Sequence, residues 1–228
     1  MARDYRVRIR SREGIAEIAM SWWVLAERTG YFFNICDFVL GPLTQRYSSK
    51  GRLQIELYDA ANGDDLAYVT FKPLTLHVDK RIWKSARDGG PIARYIIAHE
   101  IGHIVLHDEF AVAFSDEKSA QLKYLQDEES GEWQANIFAS YFLVPDHIAR
   151  KLSDADVIAG LCVVTDELAK KRLTDAKNAK TIVTPPYTGD MCTGCGSFTL
   201  LSIGMSTKCD TCGTKDVIDT RGGIAAVL

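Results

Sequence analysis

His99-Glu100-Ile101-Gly102-His103 joins residue types that bind metal with a spacing that suits it. At about 100° per residue, two histidines four apart lie one turn above each other on one helix face. Their ring nitrogens can then take adjacent corners of one tetrahedral zinc. Glu100, beside the first histidine, could hold and deprotonate a water at the position left open. Such a site needs a third protein ligand. A third histidine in the HExxHxxGxxH arrangement is excluded, because Leu106 and Glu109 stand where the glycine and histidine would be. His107 lies a further turn past His103 and reads as a polar residue behind the ligands. Downstream carboxylates are better candidates. Glu132 opens Glu132-Trp133-Gln134-Ala135-Asn136, and Glu128 and Glu129 are alternatives cut off from the helix body by Gly131. Asn136, one turn past Glu132, could accept the ring N–H of His99 or His103, an interaction that metal-bound histidines usually require.

The elements that must carry these residues are legible from periodicity. Arg94-Tyr95-Ile96-Ile97-Ala98 leads into the histidines as helix, after the break at Asp88-Gly89-Gly90-Pro91. Gly102 in mid-helix costs about 1 kcal/mol relative to alanine, which is tolerable where another backbone must come close. A second helix runs from about Glu128 or Glu132 to Leu143 and stops before Pro145; Glu132, Ala135, Asn136, Ala139 and Leu143 share one face. Small Ala135 and Ala139 would let the two helices approach. Upstream, Ile15, Ile18, Ala19, Trp22, Trp23, Leu25 and Ala26 mark a helix from about Gly14 to Arg28, with the tryptophans as core. Tyr31 to Leu40, Leu53 to Tyr58, Ala67 to Phe71 and Leu74 to Val78 read as short strands. The fold class is therefore α+β, a small, mostly antiparallel sheet packed with the HExxH helix and the glutamate-bearing helix. Asp108 to Gly131 reads as an acidic, partly helical connection.

With its two motifs in view, the chain resembles the ImmA/IrrE metallopeptidases. Arg94 to His107 follows R-x-x-x-A-H-E-[LI]-G-H-x-x-L-H, and Glu132 to Pro145 is similar to E-x-[EQ]-A-N-x-F-A-x-x-L-[LM]-x-P, over about residues 10–175. The resemblance implies that His99, His103 and Glu132 hold a catalytic zinc and that Glu100 is the catalytic base. It also implies a protein substrate, typically a DNA-binding repressor whose cleavage derepresses a stress, mobile-element or phage-defence operon. Gln134 fills the family's [EQ] position, so Glu132 is the only carboxylate of that motif. The oxyanion donor could be Tyr141, Tyr124 or His107.

Cys192-Thr193-Gly194-Cys195-Gly196 and Cys209-Asp210-Thr211-Cys212-Gly213 are two CxxCG knuckles, with thirteen residues between Cys195 and Cys209. Four thiolates at this spacing predict a zinc ribbon whose closed coordination makes its metal structural. The chain thus divides into a metallopeptidase domain at 1–150, a helix-turn-helix-like segment at 151–180, and a linker with the ribbon at 181–228. In that segment Lys170, Lys171, Arg172 and Lys177 are expected to face outward, where they could touch nucleic acid in a regulatory role. The ribbon region sets Lys208, Lys215 and Arg221 against Asp190, Asp210, Asp216 and Asp219, a balance that favours protein docking over nucleic acid. Cys36 and Cys162 read as buried small hydrophobes, with the sharper option that one is an inhibitory thiol on the catalytic zinc.

A net charge of −3 excludes a global basic field for nucleic acid, and no apolar run reaches the roughly 18 residues a bilayer needs. Met1 to Arg10 has charges with no apolar stretch behind them, so it is no secretory signal, and the alternation from Arg6 to Arg10 reads as an exposed strand or solvated lead-in. A cytoplasmic location follows as the expectation. Two other functions compete: a non-enzymatic zinc-containing regulator that binds the repressor or DNA, and a toxin-like protease acting on another host protein.

Overall fold

A computed structural model describes residues 4–47, 53–107 and 127–180 and, further on, 188, 190–194, 200–203, 206–209, 213–219 and 223–225. Tyr124 and most of the acidic connection, most of the expected linker, and Cys195 and Cys212 lie outside these residues. The chain divides into two compact units, Met1–Val183 and Thr184–Leu228.

The first unit opens with helix α1 (Arg12–Trp23), capped by Ser11, whose hydroxyl accepts from Gly14 N. Ile15, Ala16, Ala19, Met20 and Trp23 form its buried stripe. The expected strand at Tyr31 to Leu40 is mostly helical. A two-residue ladder pairs β1 (Arg28–Thr29) with β2 (Phe32–Phe33), and Ile35–Phe38 then forms α2. Asn34 decides this by accepting from Cys36 N and Asp37 N, a side-chain cap that outcompetes strand propensity. A π-turn at Val39–Leu43 and α3 (Thr44–Tyr47) continue the coil. The sheet is mixed, with β5 (Leu74–Asp79) in the middle. It pairs parallel with β3 (Gln54–Tyr58) and antiparallel with β4 (Ala67–Phe71).

Asp79 caps α4 (Lys80–Arg87) through Arg81 N and Ile82 N, and Gly90-Pro91 opens α5 (Pro91–Leu106) with proline at a position that needs no donor. Helix α6 (Gly131–Leu143) is capped by Ser130 and packs on α5. Three helices follow, α7 (Asp146–Leu152), α8 (Ala155–Cys162) and α9 (Asp166–Asn178).

Two buried arginines fasten these last helices. Arg172 is fully buried, donates to Val144 O and to the carboxylates of Asp146 and Asp175, and lies 3.6 Å from the Tyr141 ring centroid. It therefore does not face outward with Lys170, Lys171 and Lys177, because desolvating its charge against two carboxylates ties α9 to α7. Arg94 of α5, equally buried, donates to the carbonyls of Cys162, Val163 and Phe33. It thereby holds the α8–α9 turn, where Val163 takes a left-handed φ of 54°. Burial lowers its pKa to about 10.

In the second unit β6 (Leu200–Ile203), β7 (Ser206–Cys209), β8 (Lys215–Asp219) and β9 (Gly223–Ala225) form one antiparallel ladder in chain order. Cys192, Leu200 and Cys209 are buried together, and Gly194 N–H approaches Cys192 Sγ at 3.3 Å.

Candidate metal centre and active site

Helix α5 places His99 and His103 one turn apart, and their Nε2 atoms come within 3.0 Å of each other. The buried side of the helix, with Ile97, Ala98, Ile101 and Ile104, fixes which face these rings take. Glu132 stands in the first turn of α6, where a carboxylate is favoured by the helix dipole. Its Oε2 lies 3.1 Å from His99 Nε2 and its Oε1 3.5 Å from His103 Nε2. The helices come this close because a methyl at Gly102 would sit 3.0 Å from Ala135 Cα and 3.1 Å from Ala135 O. Gly102 thus trades helix propensity for contact with a backbone.

The tautomers can be assigned from the donors and acceptors around each ring. Asn136 Oδ1 accepts from Tyr95 Oη at 2.9 Å and from His99 Nδ1 at 3.0 Å, so His99 carries its hydrogen on Nδ1. On the other side the assignment starts at Gln134. Its Nε2 spends both hydrogens on the carbonyls of Arg8 (2.8 Å) and Glu128 (2.7 Å), which turns its Oε1 toward His107 Nε2 at 3.3 Å. His107 therefore donates from Nε2 and accepts at Nδ1, and Tyr5 Oη, 2.9 Å away, donates to it. The same hydroxyl accepts from His103 Nδ1–H at 2.8 Å. The His103 and His107 Nδ1 atoms are also 3.2 Å apart, so that hydrogen is shared. Burial holds His107 neutral, with its pKa pushed down to about 3, as this assignment requires.

Both Nε2 atoms are then bare lone pairs facing each other beside a carboxylate. Glu132 Oε1 is buried without a hydrogen-bond partner. Two bare nitrogens and an unsatisfied carboxylate oxygen within 4.8 Å of one another repel unless a cation lies among them. The set fits a divalent metal that takes nitrogen and oxygen donors.

Electrostatics separate the two carboxylates. Burial raises the Glu100 pKa; the His103 and His99 charges oppose it, and Glu132 and Asp65 add to it. Burial also disfavours charge on Glu132, but the two imidazoles facing it, His103 and His99, favour its ionised form and more than offset this. They hold its carboxyl well below the usual range. For His99 burial works against protonation, and Glu132 and Glu100 together outweigh it, so its pKa is raised.

The remaining sequence candidates fall elsewhere. Glu128 offers its backbone oxygen to Gln134, and Glu129 pairs with Arg6. Tyr141 lies against Arg172, and both His107 nitrogens are engaged, by Tyr5 and Gln134. Cys36 donates its thiol to Trp83 O, and Cys162 sits at the end of α8, where its carbonyl accepts from Arg94. Among the described residues the metal-facing group contains no thiol. Of the four ribbon cysteines, Cys192 and Cys209 are brought together in the second unit.

Residues 4–10 correct the expectation of a solvated lead-in. Arg6 bridges to Ser130, Val7 is buried and donates to Glu129 O, and Tyr5 reaches His103 and His107. Sequence reasoning missed Tyr5 because nothing in its own neighbourhood signals a partner 98 residues away.

The model of the Peptidase_M78 family, an IrrE N-terminal-like domain, matches residues 58–174. That span takes in α5 and α6 but not Tyr5. No curated protein matches the chain. A solved Mycobacterium tuberculosis transcriptional regulator is similar at 16% identity with a TM-score of 0.47, over 70% of this chain and 46% of that one. The present chain thus spans about half the length of that structure. Among the described residues no helix is long and apolar enough to cross a membrane.

Proposed function

The chain belongs to the Peptidase_M78 family, with an IrrE N-terminal-like domain over about half its length, and from that premise we propose that it is a zinc-dependent endopeptidase. The observation that carries this reading is the pair of bare Nε2 atoms of His99 and His103 facing the orphaned oxygen of Glu132. His99, His103 and Glu132 would hold the metal. Bound there, it would supply Lewis-acid polarisation of a peptide carbonyl and acidify a water. Glu100 takes the proton of the attacking water and returns it to the leaving amine. Its burial favours that work, since a carboxylate raised toward neutrality is a better proton carrier than one at its ordinary value. Asn136 and Tyr5 hold the two imidazoles in the tautomer that leaves Nε2 free.

The substrate we propose is a helix-turn-helix repressor encoded nearby, whose cleavage relieves transcriptional control. A second, structural zinc in the ribbon, held by Cys192, Cys195, Cys209 and Cys212, completes the proposal. Burial of Cys192 and Cys209 with a backbone N–H aimed at sulfur supports it. The test mixes the full chain and zinc with neighbouring transcription factors and looks for one discrete fragment by mass spectrometry. Glu100→Gln should keep its zinc and yield no fragment. Continued cleavage by that variant overturns the mechanism, and intact partners under all conditions favour a non-enzymatic regulator.

A further inference from the structure

Asp4-Tyr5 touches both halves of the metal centre. Tyr5 Oη accepts from His103 Nδ1 and donates to His107 Nδ1. Asp4 accepts from Ser130 Oγ at 2.7 Å and from Glu132 N at 3.2 Å, so it caps the turn of α6 that carries the third metal-facing group. The backbone fastens the dipeptide in place, since Gly131 N donates to Tyr5 O at 2.9 Å. Room for the ring comes from Gly131 itself: a methyl there would stand 2.9 Å from Tyr5 Cε2 and Cζ. The hydroxyl cannot be replaced by water without opening this contact, because Tyr5 also packs edge-on against the His107 ring.

We propose that Tyr5 is a positioning residue of the metal centre, one that orients His103 from the N-terminal segment and so sets metal affinity. The inference rests on the reading of His99, His103 and Glu132 as metal ligands. With the Tyr5 hydroxyl present, an acceptor for His103 Nδ1–H anchored from outside α5 is in place (the only such one among the described residues), and Nε2 is presented bare. Without it, the ring is held only by the bond to His107, a neighbour on its own stretch of chain. The imidazole then rotates and changes tautomer more freely, and each excursion removes one ligand.

The test is a zinc competition against a chromophoric chelator, using the full chain. The equivalent belonging to this centre is the one that His103→Ala loses. Tyr5→Phe keeps the ring against Gly131 and removes only the hydroxyl; it should bind that equivalent about tenfold or more weakly, the range typical for lost ligand-orienting groups. Gly131→Ala keeps every hydrogen-bonding group but pushes the ring aside, so it should weaken the same equivalent. Alanine also replaces glycine at the start of a helix, so the melting temperature should not fall. A stability role alone would not separate the two readouts in this way. Wild-type zinc affinity in both variants overturns the inference while leaving the ligand assignment intact, as does an affinity loss in Gly131→Ala that merely follows a lower melting temperature. If His103→Ala keeps the full zinc complement, the ligand assignment fails and the inference with it.

Discussion

The two metal-facing imidazoles are held from opposite sides by unlike means. His99 is oriented from within the helix pair: its acceptor, Asn136, stands one turn past Glu132 on α6 and is itself fixed by Tyr95 of α5. His103 is oriented from outside the pair, by a tyrosine from the N-terminal segment backed by His107 and Gln134. The first support comes with helix packing, since any arrangement that seats Glu132 also seats Asn136. The second depends on a strand-like segment that joins the pair through the Arg6–Ser130 bridge, the Arg6–Glu129 ion pair, buried Val7, the Tyr5 ring and a few hydrogen bonds. A single centre can therefore be intact on one side and loose on the other.

The comparison can be tested from strong effects to weak. Glu100→Gln alters neither support, so it should retain zinc and lose cleavage by about a thousandfold or more, because it removes the buried carboxylate proposed to carry the proton. Zinc content by metal analysis beside a cleavage assay checks this. Next come the supports themselves. Asn136→Ala and Tyr5→Phe should each weaken zinc by about 10–100-fold. Their effects should differ in kind, since Asn136→Ala also removes a half-buried partner of the Tyr95 hydroxyl within the pair and so lowers the melting temperature. Equal zinc losses with equal stability losses would erase the distinction drawn here.

Gly102→Val probes the first support through packing. Its side chain would meet the Ala135 backbone, which cannot yield as a flexible side chain does. It should destabilise the fold by about 2–3 kcal/mol and weaken zinc, by moving α6 and with it both Glu132 and Asn136. Denaturant unfolding measures the first and chelator competition the second.

The smallest effect is a pH dependence remote from either support. His147 of α7 packs edge-on against Trp23 with both ring nitrogens buried and unpartnered. Burial, with Arg28 and Lys151 nearby, pushes its pKa down to about 4. Unfolded, it would titrate at about 6.5, so below that pH the unfolded chain takes up a proton that the folded one refuses. Stability from this group is complete above the unfolded value and is lost as pH falls toward the folded one. Between pH 8 and pH 6 the loss should be about 1 kcal/mol. Denaturant unfolding at the two pH values should show His147→Phe losing less than the wild type by that amount.

How much of this was readable varies with sequence distance. Glu100, His99, His103 and Asn136 were legible because helical period converts spacing into a shared face. Gly102 was legible as a close approach because a mid-helix glycine needs a reason. The strand reading of Tyr31 to Leu40 went astray on aromatic and β-branched composition, when the deciding residue was the cap Asn34. Arg172 was assigned to a solvated face because its neighbours Lys170 and Lys171 are basic. Asp175, three residues on, was a local sign of pairing, but Asp146, the partner that buries the charge, lies 26 residues away on another helix and gives none.

The sequence by itself determined the chemistry on offer: two imidazoles and a base on one helix, a carboxylate and an amide on the next, and paired cysteines after them. Those facts are local, written in intervals of three and four residues. Only the tertiary structure decided the tautomers that leave both Nε2 atoms bare. A hydrogen on Nδ1 is set by whatever acceptor the fold brings to it. For His103 that acceptor arrives from the far end of the chain, over a distance no residue interval encodes.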